Sequence, residues 1–104
     1  MSAARTAGLD LDVSIARAPG VLAQRLDDEI VLLDPNLGHY FALNSTGASL
    51  WDWLGENHAR IGDLVDLLLS GYDVPRSQGE EDVLALVREL LEHGLVVRAD
   101  EDPE

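Results

Sequence analysis

The chain has 104 residues, enough for one domain with its own core, and no cysteine, which excludes disulfides, thiolate metal sites and cysteine nucleophiles. Twenty acidic residues against seven arginines and no lysine give a net charge of −13, the wrong sign for phosphate backbones or anionic membrane surfaces. No apolar run reaches the ~18 residues of a membrane span, and the N-terminus lacks the basic-then-apolar order of a secretory signal, so the sequence reads as cytoplasmic.

Residues 1–8 are small and polar and are expected to be disordered. Leu9, Leu11, Val13 and Ile15 then alternate with Asp10, Asp12 and Ser14, the period of a strand with one apolar face. Pro19-Gly20 closes that segment. Residues 21–26 and 29–33 form a hairpin about Asp27-Asp28, a turn without the usual glycine. The unbroken run Ile30, Val31, Leu32, Leu33 suits a central strand with partners on both sides. Pro35 and Gly38 bracket a second turn, and residues 39–43 make the next strand, at the edge of a meander. On that strand Phe41 and Leu43 are expected to point inward, Tyr40 and Ala42 outward.

The second half of the chain is helical. Asn44 or Ser45 can cap a helix whose buried face holds Ala48, Trp51 and Leu54, and Gly55 suits its exit. Trp51 and Trp53 lie on nearly opposite sides, one in the core and one exposed. Ile61, Leu64, Val65 and Leu68 outline a second helix ending about Ser70-Gly71, with Arg60 a poor cap and Gly62 in its first turn. Ser77 with Glu80 reads as a capping box for a third helix that runs to His93, with Gly94 beyond it. Residues 95–97 form a short closing strand, and residues 99–104 an acidic tail with little reason to fold. Strands followed by helices make an α+β fold: a three-stranded antiparallel sheet followed by three helices, winged-helix-like, in a single unit over residues 9–98.

Candidates for chemistry are few. His39, His58 and His93 lie in separate elements without ligand spacing, and no carboxylate pair sits in an apolar setting that would tune it for acid–base work. There is no phosphate loop and no nucleophile elbow, so the sequence reads as non-enzymatic, with no cofactor and no metal. The third helix is more informative. Val83, Leu84, Leu86, Val87, Leu90 and Leu91 cover more of its circumference than the usual apolar stripe. Either the helix is central and wholly buried, or one flank packs inward while the other lines a groove beside the edge strand. A winged-helix DNA-binding regulator is the alternative function. It would expose Arg, Lys, Asn or Gln on this helix, where the sequence places Asp82, Glu89 and Glu92. A purely structural or dimerisation module is a third reading.

Three segments, VLLDPNLGHYFALNSTGASLW, LVDLLLSGYDV and EDVLALVRELLEHGLV, taken in this order and spacing, resemble the PqqD-like RiPP recognition elements over residues 21–97. These small domains bind the leader peptides of ribosomally made, modified peptides. The chain looks most like the stand-alone type of lasso-peptide pathways. The resemblance implies a leader lying antiparallel along the third strand of the sheet, in a groove between it and the third helix. Carried over, the peptide contacts are His39, Tyr40, Phe41 and Ala42 on the strand, with Asp82, Leu86, Val87 and Leu90 on the helix. The implied partners are a precursor's leader region and a modifying enzyme or leader peptidase, with no nucleic acid and no membrane. The chain itself is expected to be a monomer or weak dimer. The family pattern does not explain residues 9–15, which could be an extra strand or could occupy the leader's place along the edge strand, in the same chain or across a dimer. Deleting residues 1–16 is expected, in the second case, to strengthen leader binding.

Overall fold

The computed structural model describes residues 9–36, 38–55 and 58–99. Strand β2 (Leu22–Leu26) turns into β3 (Glu29–Asp34), and β3 into β4 (His39–Leu43), giving an antiparallel sheet in the order β2-β3-β4. The first turn has two residues, and Asp27 takes φ 59°, the one positive φ at a non-glycine among the described residues. A positive φ at the first central position alone is the pattern of a type II′ turn, which normally recruits glycine there.

This short turn fixes the hydrogen-bond parity of the whole sheet. A two-residue hairpin closes on a hydrogen-bonded pair, here Leu26 with Glu29, and such pairs alternate with non-bonded ones. Glu29, Val31 and Leu33 therefore spend their main-chain groups on β2. Ile30, Leu32 and Asp34 spend theirs on β4, opposite Leu43, Phe41 and His39. The N–H and C=O groups of Tyr40 and Ala42 are left pointing away from the sheet, along its open edge.

Helix α1 (Ser45–Leu54) starts directly after β4, with the Asn44 side chain accepting a 2.9 Å hydrogen bond from the Gly47 amide. Trp51 is 3% exposed and Trp53 56%, as their opposed positions predict. After β5 (Ala59–Arg60) come α2 (Ile61–Gly71), α3 (Arg76–Glu92) and the last strand, β6 (Val96–Arg98). One apolar cluster runs through all three helices and both sheets, centred on Ile15, Leu32, Ile61, Leu64, Val87 and Leu95.

The α+β order of a three-stranded sheet followed by three helices stands as read from the sequence, but a second sheet joins it. Strand β1 (Ser14–Arg17) lies between β5 and β6, antiparallel to both. The alternating N-terminal segment is thus an extra strand only at its end. Residues 9–13 bend through a turn, with the Val13 amide bonded to Asp10 O, while Leu9, Leu11 and Val13 still pack onto the core. None of this lies along β4, so the segment does not occupy the edge strand in this chain. Residues 1–8 and 100–104, expected to be disordered, lie outside the described residues. Ala99, assigned to the tail, is tied in by its amide to Ser14 O at 2.8 Å.

The start of α2 is as read from the sequence, and that of α3 differs. Helix α2 has no side-chain cap at Arg60; instead Val13 O and Leu11 O accept from the Ile61 and Gly62 amides, both at 2.9 Å. The missing cap is supplied by backbone from the other end of the chain. Helix α3 begins at Arg76 after Pro75, two residues before the start a Ser77 cap would give, and carries no capping side chain. Arg76 does not cap, since a guanidinium only donates; it bonds Glu80 at 3.0 Å and Asp66 of α2 at 3.1 Å. Those two carboxylates raise the Arg76 pKa above its ordinary value, and Asp66 ties the start of α3 to the middle of α2.

Candidate peptide groove

Helix α3 packs against α2 and β6, and between it and β4 runs a groove of about 430 Å³. Phe41, Leu43, Leu50, Leu68, Val83 and Leu86 form its apolar surface. Asn44, Thr46 and Gly47 contribute from the start of α1, and Ala42, Asp82 and Glu89 complete the lining. The helix runs opposite to β4. His93, its C-cap, meets Phe41 (ring centroids 5.3 Å apart) and His39 (6.1 Å) at the start of the strand. Asp82, three turns earlier, therefore lies towards the strand's far end. His93 Nδ1 is 2.8 Å from the Glu89 carbonyl oxygen, which can only accept, so this nitrogen carries the proton and the ring is held against Phe41. Two histidines that the sequence placed in unrelated elements are thus neighbours. Among the described residues no three His, Asp or Glu side chains gather to hold a metal ion.

The eight residues named from sequence divide sharply. Phe41, Ala42, Asp82 and Leu86 line the groove. His39 and Tyr40 continue its strand side, both exposed. Val87 and Leu90 do not line it: they are 1% and 4% exposed and, with Ile15, Trp51, Leu54 and Leu64, enclose a void of about 10 Å³ on the inner side of α3. The helix rotation decides this. Asp82, Leu86 and Glu89 share one face at i, i+4 and i+7; Val87 and Leu91 lie more than a third of a turn from its centre, and Leu90, about a fifth of a turn away, is already turned into the core. Sequence reasoning missed Val83, Glu89 and the α1 contributors Asn44, Thr46 and Leu50. Extending the i, i+4, i+7 series from Asp82 would have found Glu89.

The orientation of β4 follows from its pairing. Phe41 and Leu43 share the core face with Leu32 and Ile30, while Tyr40 and Ala42 share the outer face with Leu33 and Val31. Across the three strands Leu22, Leu33 and Tyr40 stand directly opposite one another on that outer face, Tyr40 71% exposed and Leu22 56%. Two contacts hold α1, one from each sheet. Arg25 of β2 grips Asp52 at 2.7 Å through both carboxylate oxygens, and Arg17 of β1 donates to Trp51 O while lying 4.5 Å over its indole ring.

Residues 29–96 match the family model described as coenzyme PQQ synthesis protein D (PqqD). The chain belongs to the PqqD family. Two solved structures share the fold. One, TbiB1 in complex with the TbiA(beta) leader peptide, is 30% identical and superimposes with a TM-score of 0.71 over 84% of this chain and 98% of that one. The other, a lasso peptide synthetase B1 complexed with its leader peptide, is 34% identical with a TM-score of 0.69 over 80% and 96%. No curated protein matches the sequence. The PqqD match leaves out β1 and β2 entirely, yet β1 is the central strand of the second sheet and β2 completes the first. A DNA-reading role for this chain is not supported, since the exposed face of α3 carries Glu81, Asp82, Glu89 and Glu92. No described helix is long and apolar enough to cross a membrane.

Proposed function

We propose that this protein is a non-catalytic, cytoplasmic adaptor that captures the leader of a ribosomally made precursor and presents it to a modifying enzyme or leader peptidase. The observation that carries the reading is the coincidence of a free strand edge with an apolar groove. Tyr40 and Ala42 hold unspent main-chain donors and acceptors beside Phe41, Leu50, Val83 and Leu86. An extended peptide added there draws affinity from main-chain hydrogen bonds and selectivity from every second side chain. Both solved relatives, similar over most of their length, carry a leader peptide, which supports the same class of ligand for this chain. On this reading His39, Tyr40, Phe41, Ala42, Asp82 and Leu86 contact the leader, while Val87 and Leu90 hold the helix in place from behind.

The test is a titration of isotope-labelled protein with the leader of the precursor encoded alongside it, following backbone amide shifts. The Tyr40 and Ala42 amides should move first and furthest. Saturable binding that leaves residues 39–43 unmoved would overturn the strand-addition reading.

A further inference from the structure

We infer that the groove selects leaders in which two basic residues flank an apolar one at alternate positions, basic-x-apolar-x-basic. The inference rests on the strand-addition reading and adds the chemistry of the captured segment. A peptide strand bonded to Tyr40 and Ala42 places the residues opposite them on the outer face. The residue between, opposite Phe41, and those two positions away on either side turn into the groove. Three inward side chains therefore meet α3 in succession.

The α3 wall has a matching order. Val83 lines the groove from a buried position, and the α3 lining residues that remain exposed or half-exposed are Asp82, Leu86 and Glu89: a carboxylate, an apolar side chain, a carboxylate. Asp82 and Glu89 are about 10 Å apart along the axis, seven residues at 1.5 Å each. Inward peptide positions i and i+4 are about 13 Å apart, a mismatch that a long Arg or Lys side chain spans. The central position falls between Phe41 and Leu86, both half-buried and both apolar. Both carboxylates are exposed at the rim, where they can meet a cation without first being desolvated. Asp82 already accepts 2.9 Å from Gln78 Nε2, which orients it on this face. The pattern reads the same in both directions, so it holds whichever way the peptide runs.

The net charge of −13 would attract any basic peptide, so the test must separate register from bulk charge. Three capped nine-residue peptides with Ser and Thr flanks serve as probes. Their centres are Arg-Thr-Leu-Thr-Arg, Gln-Thr-Leu-Thr-Gln, and Thr-Arg-Leu-Arg-Thr, which keeps the charge of the first but turns its arginines outward. Dissociation constants are read from the Tyr40 and Ala42 amide shifts. The first peptide should bind about five- to tenfold more tightly than the other two, the scale of two partly exposed ion pairs. Asp82→Asn with Glu89→Gln should erase the first peptide's margin over the other two. Equal affinity for the two arginine peptides would overturn the inference and leave strand addition standing. If none of the three shifts these amides at millimolar concentration, the strand-addition reading fails and takes the inference with it.

Discussion

The Gly62 amide donates to Leu11 O at 2.9 Å, and a Cβ at position 62 would lie 3.2 Å from the same oxygen. Helix α2 therefore begins against a backbone carbonyl that would have to shift to admit a side chain at position 62. Gly62→Ala would ordinarily gain about 1 kcal/mol in helix propensity, but here it must push away the oxygen that satisfies its own amide. Gly71, at the other end of the same helix, has nothing within 4 Å. In thermal melts Gly71→Ala should raise the midpoint, whereas Gly62→Ala should lower it by a few degrees. A rise in both would show that residues 9–13 yield at little cost.

The same contact predicts the effect of shortening the N-terminus. Removing residues 1–13 deletes buried Val13, half-buried Leu9 and Leu11, and two hydrogen bonds to the start of α2. Burial of Val13 alone is worth about 1.5–3 kcal/mol, and each bond about 1. The truncated chain should lose about 3 kcal/mol or more in denaturant unfolding. Its folded fraction should bind peptide no more tightly, because the lost segment does not cover β4.

Asp27 occupies a turn position that suits glycine. Asp27→Gly should stabilise the β2–β3 hairpin by about 0.5–1 kcal/mol, read as a shift in the denaturant midpoint without a change in slope. The substitution lies well away from the groove, so peptide affinity should not change.

The parity of β4 gives a sharper test of its edge. Ala42 directs its N–H outward, so Ala42→Pro removes a donor that the folded sheet does not use, and proline is tolerated at such edge positions. Phe41→Pro removes a bond to Leu32 and a groove wall together. Ala42→Pro should fold, with circular dichroism near that of the parent, and weaken peptide binding at least about tenfold, roughly one or two main-chain hydrogen bonds. Phe41→Pro should fail to form a stable sheet.

Asn44 joins strand to helix. Asn44→Ala removes the hydrogen bond to the Gly47 amide and should cost about 1 kcal/mol. Asn44→Asp keeps an acceptor in place and should restore most of that loss in the same melts.

Where the local code is strong, the fold is legible in the residues. His39–Leu43 is bounded by Gly38 and Asn44, and its inward Phe41 and Leu43 follow from alternation alone. What escaped depends on distant partners. Arg60 looks like a failed cap because the acceptors for α2 lie some fifty residues earlier, in Leu11 and Val13. Ser77-x-x-Glu80 looks like a cap until Arg76, held by Asp66 of another helix, starts α3 sooner. In the groove, the strand contribution rests on period two and was readable. The helix contribution rests on a rotation of α3 set by the whole core, which sends Val87 and Leu90 inward and brings Glu89 out.

The row Leu22, Leu33, Tyr40 ends at an open margin. A strand laid beside β4 would lengthen that row by one side chain of its own, so the sheet's far face would become partly the visitor's. Occupied and empty molecules would then differ on a surface remote from the groove, and an enzyme touching only that face could tell a loaded carrier from an idle one.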